Sequence, residues 1–232
     1  MNEHTVRSYE DQLQNLTNTI VKMGALAESQ FSSSINALLK RDEDLADKIA
    51  GKDLKMNEFD IKIENQVIDL IALRQPMGID LRETVSSMRI SSELERIGDL
   101  AKNIAKRVRY LDFDVPADIA ESVRRASNVV EKNLKDVLDS YSKRDKDIAY
   151  RIWNSDLEVD KLVNYAMEGL LKFMKNNKKN LELSTHLLFA AKHIERIGDH
   201  VTNISENVYF LVTGDQIKGT RSKGEKSAPT KN

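Results

Sequence analysis

The chemistry in this chain is concentrated in a short acidic cassette that occurs twice. Glu95-Arg96-Ile97-Gly98-Asp99, followed by Asn103 and Ile104, recurs one hundred residues later as Glu195-Arg196-Ile197-Gly198-Asp199, followed by Asn203 and Ile204. On an α-helix, carboxylates four residues apart lie one turn apart on the same face. Two such groups can share a hard cation, because hard metals take oxygen ligands. Further oxygens stand upstream. Asp53 and Asn57 are four apart, with Asp60 and Glu64 continuing their stripe, and Asp156 and Asp160 are four apart in the other half. If the helices bearing these stripes run antiparallel to the cassette helices, four or more oxygens gather along a shallow groove. That is enough for one cation or a small cluster. A plain solvated surface accounts for a single copy equally well, since Arg96 and Lys102 each stand three residues from Asp99 and can pair with it. Both copies also keep a glycine, Gly98 and Gly198, inside the helix, where Gly costs about 1 kcal/mol relative to Ala. It suggests the close approach of another backbone or of a bound group, or simply tight packing.

The cassette belongs to a longer repeat. "KRDEDLADKI" from Lys40 matches "KRDKDIAYRI" from Lys143, and "DLKMN" (53–57) parallels "DLEVD" (156–160). These upstream pairs are offset by 103 residues and the cassettes by 100, so three residues are absorbed between them. The turn-like "LRQPMGIDLR" (73–82) against "KNNKKNLELS" (175–184) is the natural place. A unit of about 100 residues is domain-sized and too long for a solenoid repeat. Each half reads as three helices, six in all, near 5–40, 42–74, 80–111, 116–143, 145–176 and 180–212. Asp42 and Asp145 are N-caps, Pro76 bars continuation of the second helix, Asp80 with Glu83 reads as a capping box, and Pro116 opens a helix. Along the third helix Leu94, Ile97, Ala101, Ile104, Val108 and Leu111 are spaced 3-4-3-4-3. Ile194, Ile197, Val201, Ile204, Val208 and Leu211 repeat this in the sixth. Such a stripe is the buried seam of a helix in a bundle, and it leaves Glu95, Asp99, Glu195 and Asp199 on an exposed or groove-lining face. The expected fold is all-α, with two tandem, structurally repeated three-helix bundles over 1–112 and 113–213. A Gly-, Ser- and Lys-bearing stretch, 214–232, reads as a disordered tail.

Composition narrows the function. The 36 Lys and Arg nearly balance the 37 Asp and Glu of the 232 residues, so net charge gives no general attraction to nucleic acid or acidic lipid. The short basic runs are scattered, and no recognition helix is evident; direct nucleic-acid binding is not expected. With no cysteine, disulfides and thiolate metal sites are excluded. No apolar signal core opens the chain, and no window approaches the roughly 20 apolar residues that span a bilayer. The expected location is the cytoplasm, with any membrane reached through partners. There is no Walker motif or phosphate-binding Gly-rich loop. Glu-x-x-His, the signature of di-iron carboxylate bundles, is absent too. A catalytic role is therefore not expected; a carboxylate-rich di-iron-type enzyme and a purely structural helical adaptor are the alternatives. His186, His193 and His200 read as surface residues, with His200 beside Asp199 the one candidate for ligation. Trp153 and Tyr209-Phe210 read as packing residues.

The stretches "ALRQPMGIDLR" leading into "ELERIGDLAKNIAKR", and "HIERIGDHVTNISENVYFLVTG", together with their two-copy arrangement, resemble the PhoU family over residues 1 to about 214. That resemblance implies several things. The fold would be two three-helix bundles side by side, forming a homodimer. The metal ligands would be Glu95, Asp99, Glu195 and Asp199, joined by Asp156, Asp160 and Asp53. The cofactors would be divalent or trivalent ions such as iron, zinc, manganese or magnesium. The role would be a non-catalytic adaptor between the Pst phosphate ABC transporter, through its ATPase subunit, and a PhoR-type sensor histidine kinase. It would repress phosphate-starvation genes and restrain uptake when phosphate is plentiful. One position departs from the family pattern: Asn57 stands where a second acid is expected, so the first site should be the weaker.

Overall fold

A computed structural model of the chain describes residues 3–51, 53–111, 115–176 and 181–219; of residues 3–6, 53 and 183 only the backbone is described. The described helices are α1 (Glu3–Lys40), α2 (Glu43–Ala50), α3 (Asp53–Arg74), α4 (Gly78–Arg107), α5 (Ala117–Lys143), α6 (Lys146–Asn154), α7 (Asp156–Asn176) and α8 (Leu181–Thr213). A 3-10 turn, Val108–Tyr110, closes α4.

The second helix of each half, expected as one continuous rod, is broken into two: α2 and α3, then α6 and α7. Gly51 ends α2, its N–H bonding back to Asp47 O at 3.1 Å. At the matching break Ser155 turns its hydroxyl onto Ile152 O (2.8 Å) while its own N–H bonds the same carbonyl. Such local side-chain bonding competes with the helical ladder. The short amphipathic pieces bury Ala46 and Ile49, or Ala149, Ile152 and Trp153, at an angle that one straight helix could not share with the segments that follow.

Asp42 and Asp145 cap as expected. Asp42 Oδ1 accepts from Leu45 N at 2.9 Å, and Asp145 Oδ1 from Asp147 N and Ile148 N. α3 stops at Arg74, with Gln75 left-handed before Pro76. The capping box expected at Asp80 and Glu83 does not form. The N-cap is Met77, Asp80 accepts from the Tyr9 hydroxyl (2.8 Å), and Glu83 is buried against Arg144 and Thr17. Pro116 sits at the N-cap position of α5 rather than inside it.

All twelve residues of the two seams are buried. They join one apolar core that runs through both bundles. α1 and α3 pack on α4, α5 and α7 pack on α8, and α4 and α8 pack on each other. The central pair is antiparallel, since rising positions on α4 meet falling positions on α8. Arg82 Nε donates to Leu211 O (3.2 Å), Glu93 meets His200 and Asn203, and Arg107 lies over the Phe189 ring (4.8 Å). Duplication followed by antiparallel pairing of the two cassette helices therefore builds the middle of the molecule. Of the expected tail, 214–219 leave α8 through Gly214, which has positive φ, and Gly219 comes to rest on Trp153. The remainder, 220–232, lies outside the described residues.

Candidate functional site

The two mid-helix glycines set the site's register. A Cβ placed on Gly98 would lie 3.0 Å from Met56 Cε and 3.0 Å from Gln30 Oε1; one on Gly198 would lie 3.0 Å from Val159 Cγ1. Met56 and Val159 occupy matching positions in the repeat, three residues after Asp53 and Asp156. Each glycine thus admits the preceding helix at the same point, and that contact brings Asn57 on α3, or Asp156 and Asp160 on α7, to the cassette's flank. Packing against a neighbouring side chain accounts for both glycines.

In the first half the cassette carboxylates are held by cations of their own helix. Arg96 Nε lies 3.4 Å from Glu95 Oε2, and its NH1 lies 3.8 Å from Asp99 Oδ2. Lys102 Nζ lies 3.8 Å from Asp99 Oδ1. Both pairings foreseen for Asp99 are therefore present. Across the contact Asn57 is exposed, while Asp60 turns toward α4 and accepts from the buried Ser91 hydroxyl. The side chain of Asp53 lies outside the described residues.

The second half is built differently. Asp156, the first residue of α7, is only 4% exposed. Its Oδ1 accepts from Thr202 Oγ1 at 2.9 Å, and that hydroxyl also reaches Gly198 O (3.1 Å). Thr202 stands where the first half has Lys102. Glu195 pairs with Lys192, and Asp160 and Asp199 are half-buried. Among the described residues, no group of three or more His, Asp or Glu side chains is gathered to hold a metal ion. The donor chemistry separates the halves. Four carboxylates around a neutral hydroxyl suit a hard cation, whereas the first cassette is already matched by an ammonium and a guanidinium.

The histidines are not surface residues. His200 Nδ1 lies 2.6 Å from Glu93 Oε2, which also accepts from Asn203 Nδ2 (3.1 Å), so His200 ties α8 to α4 and does not join the cassette beside it. His186 stacks on Tyr110, with ring centroids 4.3 Å apart. His193 has both ring nitrogens buried and no hydrogen-bond partner; burial, then Arg107 and Arg196, push its pKa down to about 4. Sequence reasoning also passed over Glu83, a buried carboxylate that pairs with Arg144 of the other bundle and accepts from Thr17 Oγ1 at 3.0 Å. Its position three after Asp80 made it look like part of a cap. Trp153 packs as expected and donates from Nε1 to Glu206 (2.9 Å).

Fold and site together define a duplicated α-helical protein whose paired cassette helices are packed back to back with their acids on the flanks. Comparison with known proteins narrows the class. The PhoU domain matches twice, at residues 20–108 and 123–208. The chain belongs to the PhoU family. It is 42% identical over 224 residues to the phosphate-specific transport system accessory protein PhoU homolog of Caulobacter vibrioides, covering 96% of this chain and 97% of that protein. It is 40% identical over 223 residues to the homolog of Rhizobium meliloti, with 96% and 94% covered. The crystal structure of PhoU from Pseudomonas aeruginosa superposes with a TM-score of 0.85 at 30% identity, covering 89% of this chain and 100% of that one. That of the phosphate transport system regulatory protein PhoU from Streptococcus pneumoniae gives 0.84 at 28%, with 90% and 99% covered.

Proposed function

We propose that this protein is a non-catalytic regulator of phosphate uptake and signalling. It works in the cytoplasm as an adaptor between the Pst transporter, through its ATPase subunit, and a PhoR-type sensor kinase, and it represses phosphate-starvation genes when phosphate is plentiful. The observation that carries this reading is the likeness over nearly the whole chain to proteins named as accessory to phosphate-specific transport. The fold supports an adaptor role: long helices expose wide faces, and no helix among the described residues is long and apolar enough to cross a membrane. In this reading the repeats divide at 112/113, the segment from 214 onward is a tail, and the protein acts as a homodimer.

Cation binding is part of the same proposal. Asp156, Asp160, Glu195 and Asp199 would hold a divalent ion, its charge offsetting the repulsion between neighbouring carboxylates. The bound ion would fix α7 against α8 and preorganise a docking face, which raises affinity by lowering the ordering cost.

The test is deletion of the gene. Starvation genes should then stay on in phosphate-rich medium, and repression should return when the full chain is supplied again. Normal repression in the deletion strain would remove the regulator assignment. In parallel, the purified protein should retain the kinase's cytoplasmic part in a pull-down, more weakly after chelation. Equal retention with and without chelator would make the ion incidental to docking.

A further inference from the structure

The two cassettes are spelled alike, yet position 102 carries Lys and position 202 carries Thr. The difference falls where the charge balance is decided. Asp99 is contacted on both oxygens, Oδ2 by Arg96 NH1 and Oδ1 by Lys102 Nζ, each at 3.8 Å. The two cations are not equivalent. The Arg96 side chain is 61% exposed and that of Lys102 only 21%, so Lys102 is the inward charge and Arg96 the solvated one. On the facing helix, Asn57 is neutral where the second half has Asp160. A divalent ion entering here would sit beside a fixed ammonium and displace it from Asp99. Like-charge repulsion at such distances is costly, and the ion would gain one carboxylate fewer in return. In the second half Thr202 offers only a neutral hydroxyl, spent on Asp156 and Gly198 O.

We propose that Lys102 is the built-in cation of the first cassette: its ammonium takes the place of a metal ion, making the first half metal-independent and leaving the second half as the only one that responds to divalent cations. The second clause rests on the cation reading above; the first does not.

Two sets of measurements on the full chain separate them. The first uses thermal unfolding in EDTA. Lys102→Met keeps the aliphatic stem and removes the charge; it should lower Tm by about 2 °C in the wild-type background. In an Asp99→Asn background, where the charge to be matched is gone, it should cost nothing. Equal losses in both backgrounds would overturn the role of Lys102, and a far-ultraviolet circular dichroism spectrum of each variant verifies that it is folded. The second uses Mn2+ in a Glu195→Gln/Asp199→Asn background. Lys102→Thr, which copies Thr202, should bring a Mn2+-dependent rise in Tm of about 5–10 °C at a hundredfold excess over Kd, and one bound Mn2+ by calorimetry. With Lys102 in place neither should occur. Mn2+ binding to the first half of equal strength with Lys102 present would refute the proposal, as would a Lys102→Thr protein blind to Mn2+ while the wild-type chain responds. A chain that ignores Mn2+ in every form would remove the cation reading alone, and the unfolding cycle in EDTA would then decide for or against Lys102.

Discussion

The arginine of "KRD" occurs in both halves, as Arg41 and Arg144, and both copies sit in the left-handed region just past a long helix. Arg41 donates from Nε to Leu111 O at 3.0 Å, which keeps it inside its own half. Arg144 crosses to the other bundle and pairs with Glu83, a carboxylate 3% exposed. Identical residues with identical backbone conformation thus do unlike work. One steadies the end of its own repeat and the other joins the two repeats. The cassettes show the same divergence, with Lys102 opposite Asp99 in one and Thr202 opposite Asp156 in the other. Duplication gave two equal halves; the asymmetry of an antiparallel contact between them let equivalent positions drift to different partners.

The sharpest way to break the comparison is at the arginines. Arg144→Ala leaves Glu83 buried without its cation, and losing one partner of a buried pair costs about 3 kcal/mol or more. Arg41→Ala removes a charge-assisted bond to one carbonyl at the surface and should cost about 1 kcal/mol. Urea unfolding of the two variants measures the difference. Equal losses would mean that the Glu83 contact does not hold the bundles together.

The glycines sharpen it further. An added methyl at Gly98 meets the flexible end of Met56 and the amide of Gln30, which can swing aside. The gain in helix propensity from Gly to Ala, about 1 kcal/mol, should then leave Gly98→Ala near neutral. At Gly198 the methyl meets Cγ1 of Val159, a β-branched side chain stiff at χ1. Overpacking of about 2 kcal/mol should outweigh the same propensity gain, so that Gly198→Ala destabilises by about 1 kcal/mol. The reverse order in thermal unfolding would contradict the packing described.

The smallest effect concerns the histidines. The repeat aligns Glu93 with His193 and Leu100 with His200, so the Glu93–His200 pair forms only once. His193 is left buried between the fields of Arg107 and Arg196, its pKa held at about 4, below the ordinary histidine value. Because the folded state binds this proton less readily than the unfolded chain, the neutral form is favoured. Its contribution is intact above pH 6.5 and is lost as pH falls toward 4. Discounted for solvent screening, this amounts to about 1 kcal/mol at pH 5. His193→Leu should flatten stability against pH over that window relative to the wild-type chain. An unchanged slope would assign the pH dependence to other groups.

The sequence by itself determined which faces are buried. A 3-4 spacing of apolar residues is a consequence of helical geometry alone, so both seams, the caps at Asp42 and Asp145 and the stop before Pro76 were legible in the string. So was the duplication, since offsets of 103 and 100 residues need no coordinates. The tertiary structure decided which side chain meets which. Asp80 and Glu83 have the spacing of a capping box, yet Tyr9 of α1 and Arg144 of the other half reach them first. Asp60 belongs by spacing to an acidic stripe, yet Ser91 on the facing helix takes it. His200 is Asp199's neighbour in the chain but Glu93's in space. A helix fixes the direction of each side chain through local backbone angles, whereas the group lying opposite depends on how two helices cross. That crossing is set by close contacts, such as Gly198 against Val159, between residues far apart in the chain.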